Sequence, residues 1–270
     1  MNGDMTGLAD SFIISHQAAL RSGVFFGLLA LFFVLERLRP RRRQNVSAAH
    51  FFGNLSLGVI NAVLLRFLLP GGLVAVAFVG QGSGLMGALA LPYWAAFGVC
   101  LVLLDLTLYW QHRLFHSVAF LWALHGAHHG DRNLNVSSGL RFHPGEALVS
   151  FVIKALAILL LGAPVAAVIL FEVLLNGASL FNHANWSLGR FDRPLEKLIV
   201  TPDMHRLHHS RLDAETRKNF GFFLSVWDRL FASYQATPAS PHRDIALGLE
   251  DMPRDDLTAT LWHPFKRRDG

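Results

Sequence analysis

Residues 104–129, LDLTLYWQHRLFHSVAFLWALHGAHH, decide the fold. The stretch opens as the end of an apolar run and then crowds five histidines into positions 112–129. His112 and His116 are four apart, so on a helix they face the same way, on one stripe with Tyr109 and Asp105. His125, His128 and His129 stand at i, i+3 and i+4, and HRLHH at 205–209 repeats that spacing with His205, His208 and His209. Clustered imidazoles repel when protonated and lack partners when buried, unless a metal takes their lone pairs. Histidines at this spacing are a familiar way for a helix to hold a metal ion. The stretch therefore predicts a membrane span that delivers metal ligands at its end.

Two more candidates sit at span ends: His143 in RFHPGE and His183 in FNHAN. His16, His50, His242 and His263 repeat no ligand spacing and read as capping, interfacial or solvated residues. The ten candidate imidazoles exceed the four ligands of one zinc. Two ions of about six-coordinate preference could use them and keep positions open. Imidazole suits iron, zinc and copper alike, so nitrogen count alone leaves the metal open.

Outward from this stretch the composition agrees. Of 270 residues 52% are hydrophobic and only 16% charged, where a soluble domain carries about a quarter charged. Apolar runs at about 18–35, 51–69, 91–110, 147–161 and 165–181 read as membrane spans. The glycine-rich stretch 70–90 could extend the second span, re-enter the membrane or cap its outer face. Basic residues cluster at ERLRPRRR (36–43) and in the KRRDG tail, which by the positive-inside rule places the histidines on the cytoplasmic side. The net charge of +5 has no aromatic-interleaved groove behind it, so nucleic acid is not the expected partner. The single cysteine, Cys100, excludes a disulfide framework and a cysteine metal site. Residues 1–15 lack the positive n-region of a cleaved signal peptide.

The fold class expected is an all-α polytopic membrane bundle of about four to five transmembrane helices with a cytoplasmic histidine-rich helical cap. One membrane-embedded domain covers 1–235, and the proline-dotted 236–270 reads as an irregular cytoplasmic tail. RFDRPLEKLIV (190–200) has the pattern of an interfacial helix. Thr201, Pro202 and Asp203 then give a helix start as N-cap, first position and first-turn acid. Lys154 and Glu172 lie nine residues either side of Ala163 in the LGAP turn, which puts them at equal depth and predicts an ion pair between two antiparallel spans. GSGLMG at 82–87 fits G-x-G-x-x-G, but a membrane span follows where a dinucleotide fold needs a soluble βαβ unit.

HRLFH, HGAHH and HRLHH, with RFHPGE between them and NFGFFLSVWDRLFASY after the last, resemble the fatty acid hydroxylase/sterol desaturase superfamily over about 95–234. The resemblance implies a membrane non-haem di-iron enzyme that uses O2 and external electrons on C–H bonds of lipids. It assigns His112, His116, His125, His128, His129, His205, His208 and His209 to the metals, adds His183 as the histidine before the last box, and matches His143 to an HP signature. Two iron ions and O2 are then the cofactor and co-substrate. Asp105, Glu146 and Asn185 become candidates to orient ligand rings through the other ring nitrogen, with Asn182 and Asn219 as similar options. Hydroxylation and desaturation share their first hydrogen abstraction and are not separated by these motifs. No haem, flavin or thiolate-cluster motif is present, so electrons are expected from a ferredoxin- or cytochrome-type donor with its reductase. A bacterial inner membrane is the expected location. The rivals are a zinc-dependent lipid hydrolase, which needs one three-ligand site, and a metal transporter, which needs ligands at mid-span.

Overall fold

The computed structural model describes residues 11–252 and 256–265; the first ten residues, Pro253 and the KRRDG tail lie outside them. In chain order the helices that shape the molecule are α1 (Gln17–Leu38), α2 (Ala48–Leu68), α3 (Gly72–Gly80), α4 (Gly84–Leu89), α5 (Tyr93–Ser117), α6 (Ala119–His129), α7 (Pro144–Leu161), α8 (Val165–His183), α9 (Pro202–His208) and α10 (Leu257–Trp262). Among the described residues six segments are long and apolar enough to cross a membrane: α1, α2, the α3–α4 pair, α5, α7 and α8. Their outward faces are apolar, with Phe26 62%, Phe67 81% and Leu160 73% exposed. Surface of that kind needs hydrocarbon around it, and the chain is an integral membrane protein. α8 sits at the centre, with 56% of its apolar window buried against 6% for α1.

Polar contacts fix the direction of each helix. The Glu36 carboxylate, near the end of α1, accepts from Val136 N at 2.9 Å, just past α6, and from Asn185 N at 3.1 Å, just past α8. Near the start of α2, Asn54 donates to Asp131 at 3.2 Å, again just past α6. So α1, α5 and α8 run toward the histidines, and α2 and α7 run away from them.

This parity settles the stretch 70–90. α2 ends and α5 begins at the end remote from the histidines, so α3 and α4 cap that end without crossing. Gly82 N donates to Gly162 O at 3.2 Å. A Cβ on Gly84 would strike the Leu160 carbonyl, and one on Gly162 would strike the Ser83 carbonyl. The glycines of GSGLMG thus let one turn nest backbone-to-backbone in the LGAP turn, a packing role unrelated to phosphate. Among the described residues, five helices traverse the bundle.

Two expectations are corrected. The tail is not wholly irregular, because Asp256 caps α10 by accepting from Ala259 N at 2.9 Å. It also folds back over the histidine end, where Arg42 donates to Ile245 O at 2.8 Å and Arg211 to Leu247 O at 3.0 Å. Finally, Glu172 pairs with Arg21 of α1 at 3.0 Å. Lys154 lies close enough for its charge to be felt by Glu172 but makes no ion pair with it. The interfacial stretch after Asn185 shortens to a 3-10 turn at Gly189–Phe191 and one helical turn at Asp192–Leu195.

Candidate metal centre

At the histidine end, nine of the ten candidate imidazoles converge. They form two groups, within each of which the potential ligand atoms lie no more than 4.8 Å apart. His112, His116, His125, His129 and His208 make the larger group; His128, His183, His205 and His209 make the smaller. All nine are buried. Each three-histidine box is therefore split. Its i and i+4 members stay together (125 with 129, 205 with 209), while the i+3 member joins the other group, because adjacent residues on a helix point about 100° apart.

Local structure explains the convergence. The Thr201 hydroxyl accepts from Met204 N at 3.3 Å, so α9 starts where the sequence places its N-cap and Pro202 follows at the first turn. Gly126 in HGAHH is required because a Cβ there would sit 2.8 Å from the His263 ring of the tail. His263 is thus a buried packing residue, and His50 reaches Asp131 at 3.3 Å; neither belongs to a ligand group. Asp131 is held ionised: burial would raise its pKa, but the hydrogen bond and charge of His50 and the charge of Arg141 lower it further.

Most rings are oriented by their other nitrogen. His112 Nδ1 donates to Phe220 O at 2.9 Å, His128 Nδ1 to Arg141 O at 3.0 Å, His183 Nδ1 to Ser179 O at 2.6 Å and His208 Nδ1 to Lys218 O at 2.8 Å. His125 Nδ1 meets the Glu146 carboxylate at 2.7 Å. A carbonyl only accepts, so each of the first four rings must carry its proton on Nδ1 and present a bare lone pair at Nε2.

That assignment has a consequence for the smaller group. The Nε2 atoms of His128 and His183 face each other at 3.0 Å, and neither has a proton to donate. His205 Nε2 stands another 3.0 Å from that of His183. Converging lone pairs at this range repel unless a cation lies among them. With metal–nitrogen bonds of about 2.1 Å, neighbouring ligands of an octahedron stand about 3.0 Å apart, so the donor set fits a metal ion. In the larger group the Nε2 atoms of His116, His125, His129 and His208 are buried without a hydrogen-bond partner. Burial, and then the neighbouring imidazoles, lower the pKa values of His129, His205 and His209 well below the ordinary histidine value. Burial pushes His208 down to about 3. These four rings stay neutral, as ligands must.

His143 stands outside both groups. Its Nδ1 accepts from Gly145 N at 3.0 Å as the N-cap of α7, and its Nε2 lies 3.3 Å from Leu261 O. Of the three residues expected to orient rings, Glu146 does so. Asp105 instead clamps the loop after the last box, accepting from Phe223 N, Leu224 N and, at 2.8 Å, Trp227 Nε1. Asp228 grips the same loop through Phe220 N at 2.7 Å and Gly221 N at 2.8 Å, which sets the Phe220 carbonyl for His112. Asn185 ties the end of α8 to residue 42 by accepting from Arg42 N at 3.0 Å and donating to its carbonyl at 2.8 Å. Asn182 donates to Phe222 O at 2.7 Å, and Asn219 takes a positive φ of 55° as a turn former.

Two residues escaped the sequence reading. Arg141 is fully buried, donating to Ala127 O at 3.1 Å and Asn54 Oδ1 at 2.9 Å, and so fixes the carbonyl that orients His128. Arg206, inside HRLHH, is buried against Asp203 and the Ala184 carbonyl, and burial brings its pKa down to about 10. An arginine between box histidines is a visible signal; the RFHPGE arginine is masked by the histidine beside it.

A cavity of about 370 Å³ opens beside both groups, reaching His112, His125, His128, His183 and His205 and extending down between α2, α5, α7 and α8. Known proteins share this arrangement of sequence. The chain is 32% identical over 168 residues to an ornithine lipid hydroxylase of Rhizobium tropici, covering 62% of this chain and 50% of the relative. It is 29% identical over 212 residues to the alkylglycerol monooxygenase of Danio rerio, covering 78% of this chain and 46% of the relative. A very-long-chain aldehyde decarbonylase of Oryza sativa subsp. indica is 29% identical over 163 residues, covering 54% of this chain and 25% of the relative. The chain thus spans half or less of the length of these relatives. No solved structure matches it. The family model for fatty acid hydroxylase matches residues 97–233, the span that holds all nine converging histidines, and the chain belongs to the fatty acid hydroxylase family.

Proposed function

We propose that this protein is an O2-dependent lipid hydroxylase with two iron ions, one in each histidine group. The observation that carries the reading is the pair of all-imidazole groups whose bare lone pairs converge beside a cavity inside a membrane bundle. Metal bound there supplies the O2 and one-electron chemistry that no side chain of this chain can. Carbonyls 141, 179, 218 and 220 and the Glu146 carboxylate hold the rings in one tautomer, so the ligands are set before metal arrives. α8 and the loop clamped by Asp105 and Asp228 keep bulk water from the groups. In a hydroxylation, one oxygen atom of O2 enters the C–H bond of the lipid and the other leaves as water, with two electrons and two protons taken up. The electrons require an external donor of the ferredoxin or cytochrome type with its reductase. The names of two relatives, an ornithine lipid hydroxylase and an alkylglycerol monooxygenase, support an amphiphilic lipid as substrate. Arginines 37, 39 and 41–43 flank the histidine end of α1, which supports a cytoplasmic site in a bacterial inner membrane.

The test is metal analysis of protein purified without oxygen, followed by turnover with ferredoxin, its reductase and 18O2. The reading expects two irons per chain and one labelled oxygen in the lipid product. One zinc per chain with no label would sink it.

A further inference from the structure

We propose that the cavity beside the histidine groups receives the headgroup of its lipid, and that this headgroup is rich in hydrogen-bond donors (hydroxyl or ammonium). The C–H bond presented to the metals then lies in or next to the headgroup. This rests on the lipid-oxygenase reading and adds a substrate class to it.

Among its apolar groups the cavity wall carries fixed polar ones, at a depth where a chain-binding tunnel would have none. From Glu146 to Lys154, eight residues of α7 carry it about 12 Å into the bundle. Four side-chain oxygens on this wall, Asn61 Oδ1, Gln111 Oε1, Glu146 Oε2 and Glu172 Oε2, are buried without a hydrogen-bond partner. In each residue the other polar atom is already committed. Asn61 Nδ2 donates to Phe142 O at 2.9 Å, and a carbonyl only accepts, so the amide oxygen is fixed as the free atom. Gln111 Nε2 donates to Ser150 at 3.0 Å, Glu146 Oε1 meets His125 at 2.7 Å, and Glu172 Oε1 takes Arg21 at 3.0 Å. Asn61 and Glu146 are only 9% and 4% exposed. The wall thus offers four unpaired acceptors beside two cationic donors, Lys154 and Arg21. An alkyl segment laid against them would leave four buried acceptors unpaired, whereas hydroxyl or ammonium protons satisfy them.

The chains have a place of their own. A cleft of about 860 Å³ between α1 and the α2–α3 pair shares residues such as Arg21, Gly58 and Leu140 with the cavity and is lined mainly by apolar groups such as Phe25, Val59 and Phe78, with Gln17, Ser22 and Arg66 among them. It runs from Leu140 and Leu55, near the histidine end, to Gly71 at the remote end. A lipid seated with its head in the cavity and its chain in the cleft has the orientation of lipids in the leaflet on the histidine side.

Equilibrium binding to metal-loaded protein in nanodiscs tests this without turnover. The probes are radiolabelled 1-O-hexadecylglycerol with its di-O-methyl ether, and hexadecylamine with its quaternary trimethyl form. Each pair shares a chain and differs in donors. In at least one pair the donor-bearing member should bind about ten- to a hundred-fold more tightly. Asn61→Leu and Gln111→Leu should each shrink that ratio while iron content stays unchanged. Equal binding within both pairs, binding by none of the four, or a ratio that survives both substitutions would overturn the inference. If either variant fails to fold, the wild-type ratios still decide. A preserved ratio with no labelled product under 18O2 would count against the oxygenase reading alone.

Discussion

Of the two histidine groups, the larger takes two ligands from the membrane helix α5 and the smaller takes one from the membrane helix α8, the rest coming from the cap. The larger takes His112 and His116 from α5, His125 and His129 from α6 and His208 from α9. Its rings lean on two main-chain carbonyls and one carboxylate, Glu146. The smaller takes one histidine each from α6 and α8 and two from the α9 end, and the carbonyls that orient its rings, Arg141 O and Ser179 O, are both neutral. A carboxylate behind an imidazole makes it a more basic ligand. Of about six positions, four imidazoles leave more open than five. The comparison teaches that two groups fed by the same boxes are built unequally: one is the firmer hold, the other the more open.

Single-ligand variants break the comparison most sharply. Because each box is split, His208→Ala strikes only the larger group and His205→Ala only the smaller. Each should lower iron from two per chain to one, and each should cut turnover by more than the about hundred-fold seen when only an outer partner is lost. Metal analysis with Mössbauer spectroscopy of both variants checks this. Loss of both irons in either variant would mean the groups do not load independently.

A smaller effect sharpens the same contrast. Glu146→Gln keeps the shape but removes the charge behind His125. Metal affinity of the larger group should fall about ten- to a hundred-fold with the smaller group unchanged. Competition with a graded chelator, read spectroscopically, separates the two. Equal weakening of both groups would show that Glu146 acts on the site as a whole and not through His125.

How much of this was readable beforehand follows from what leaves a mark in sequence. The spans were legible as apolar runs, and eight ligand candidates as spaced histidines, because both are properties of side chains counted along one helix. The grouping was not, since whether His128 joins His125 or His183 depends on how α6 docks against α8. The carbonyls of Phe220 and Lys218 have no signature, because every residue carries one. The stretch 70–90 stayed open because its glycines make sense only against the LGAP turn it nests in. Equal depth correctly placed Lys154 near Glu172 in charge, but the ion pair went to Arg21, which is 151 residues away in sequence. Asp105 was legible as a polar residue on the histidine stripe. Its role, gripping a loop more than a hundred residues downstream, was not.

The smallest expected effect concerns the histidine that both groups leave out. His143 precedes Pro144, and in the sequence that step resembles a ligand signature. In the folded chain both ring nitrogens face main-chain groups: Nδ1 takes the Gly145 N–H, and Nε2 faces Leu261 O. Swinging the ring toward either group would uncap α7 three residues before Glu146, so a cap and a ligand are competing uses of one side chain. If the cap is its use, asparagine should replace it, because a short side-chain oxygen can accept the same N–H. His143→Asn should keep both irons and shift stability by only a few tenths of a kcal/mol, while His143→Ala should cost about 0.5–2 kcal/mol with the iron still bound. Thermal unfolding in detergent, run beside metal analysis, reads both quantities. Iron lost from both variants, with stability falling equally, would make His143 a ligand; iron retained in both leaves the cap as its work.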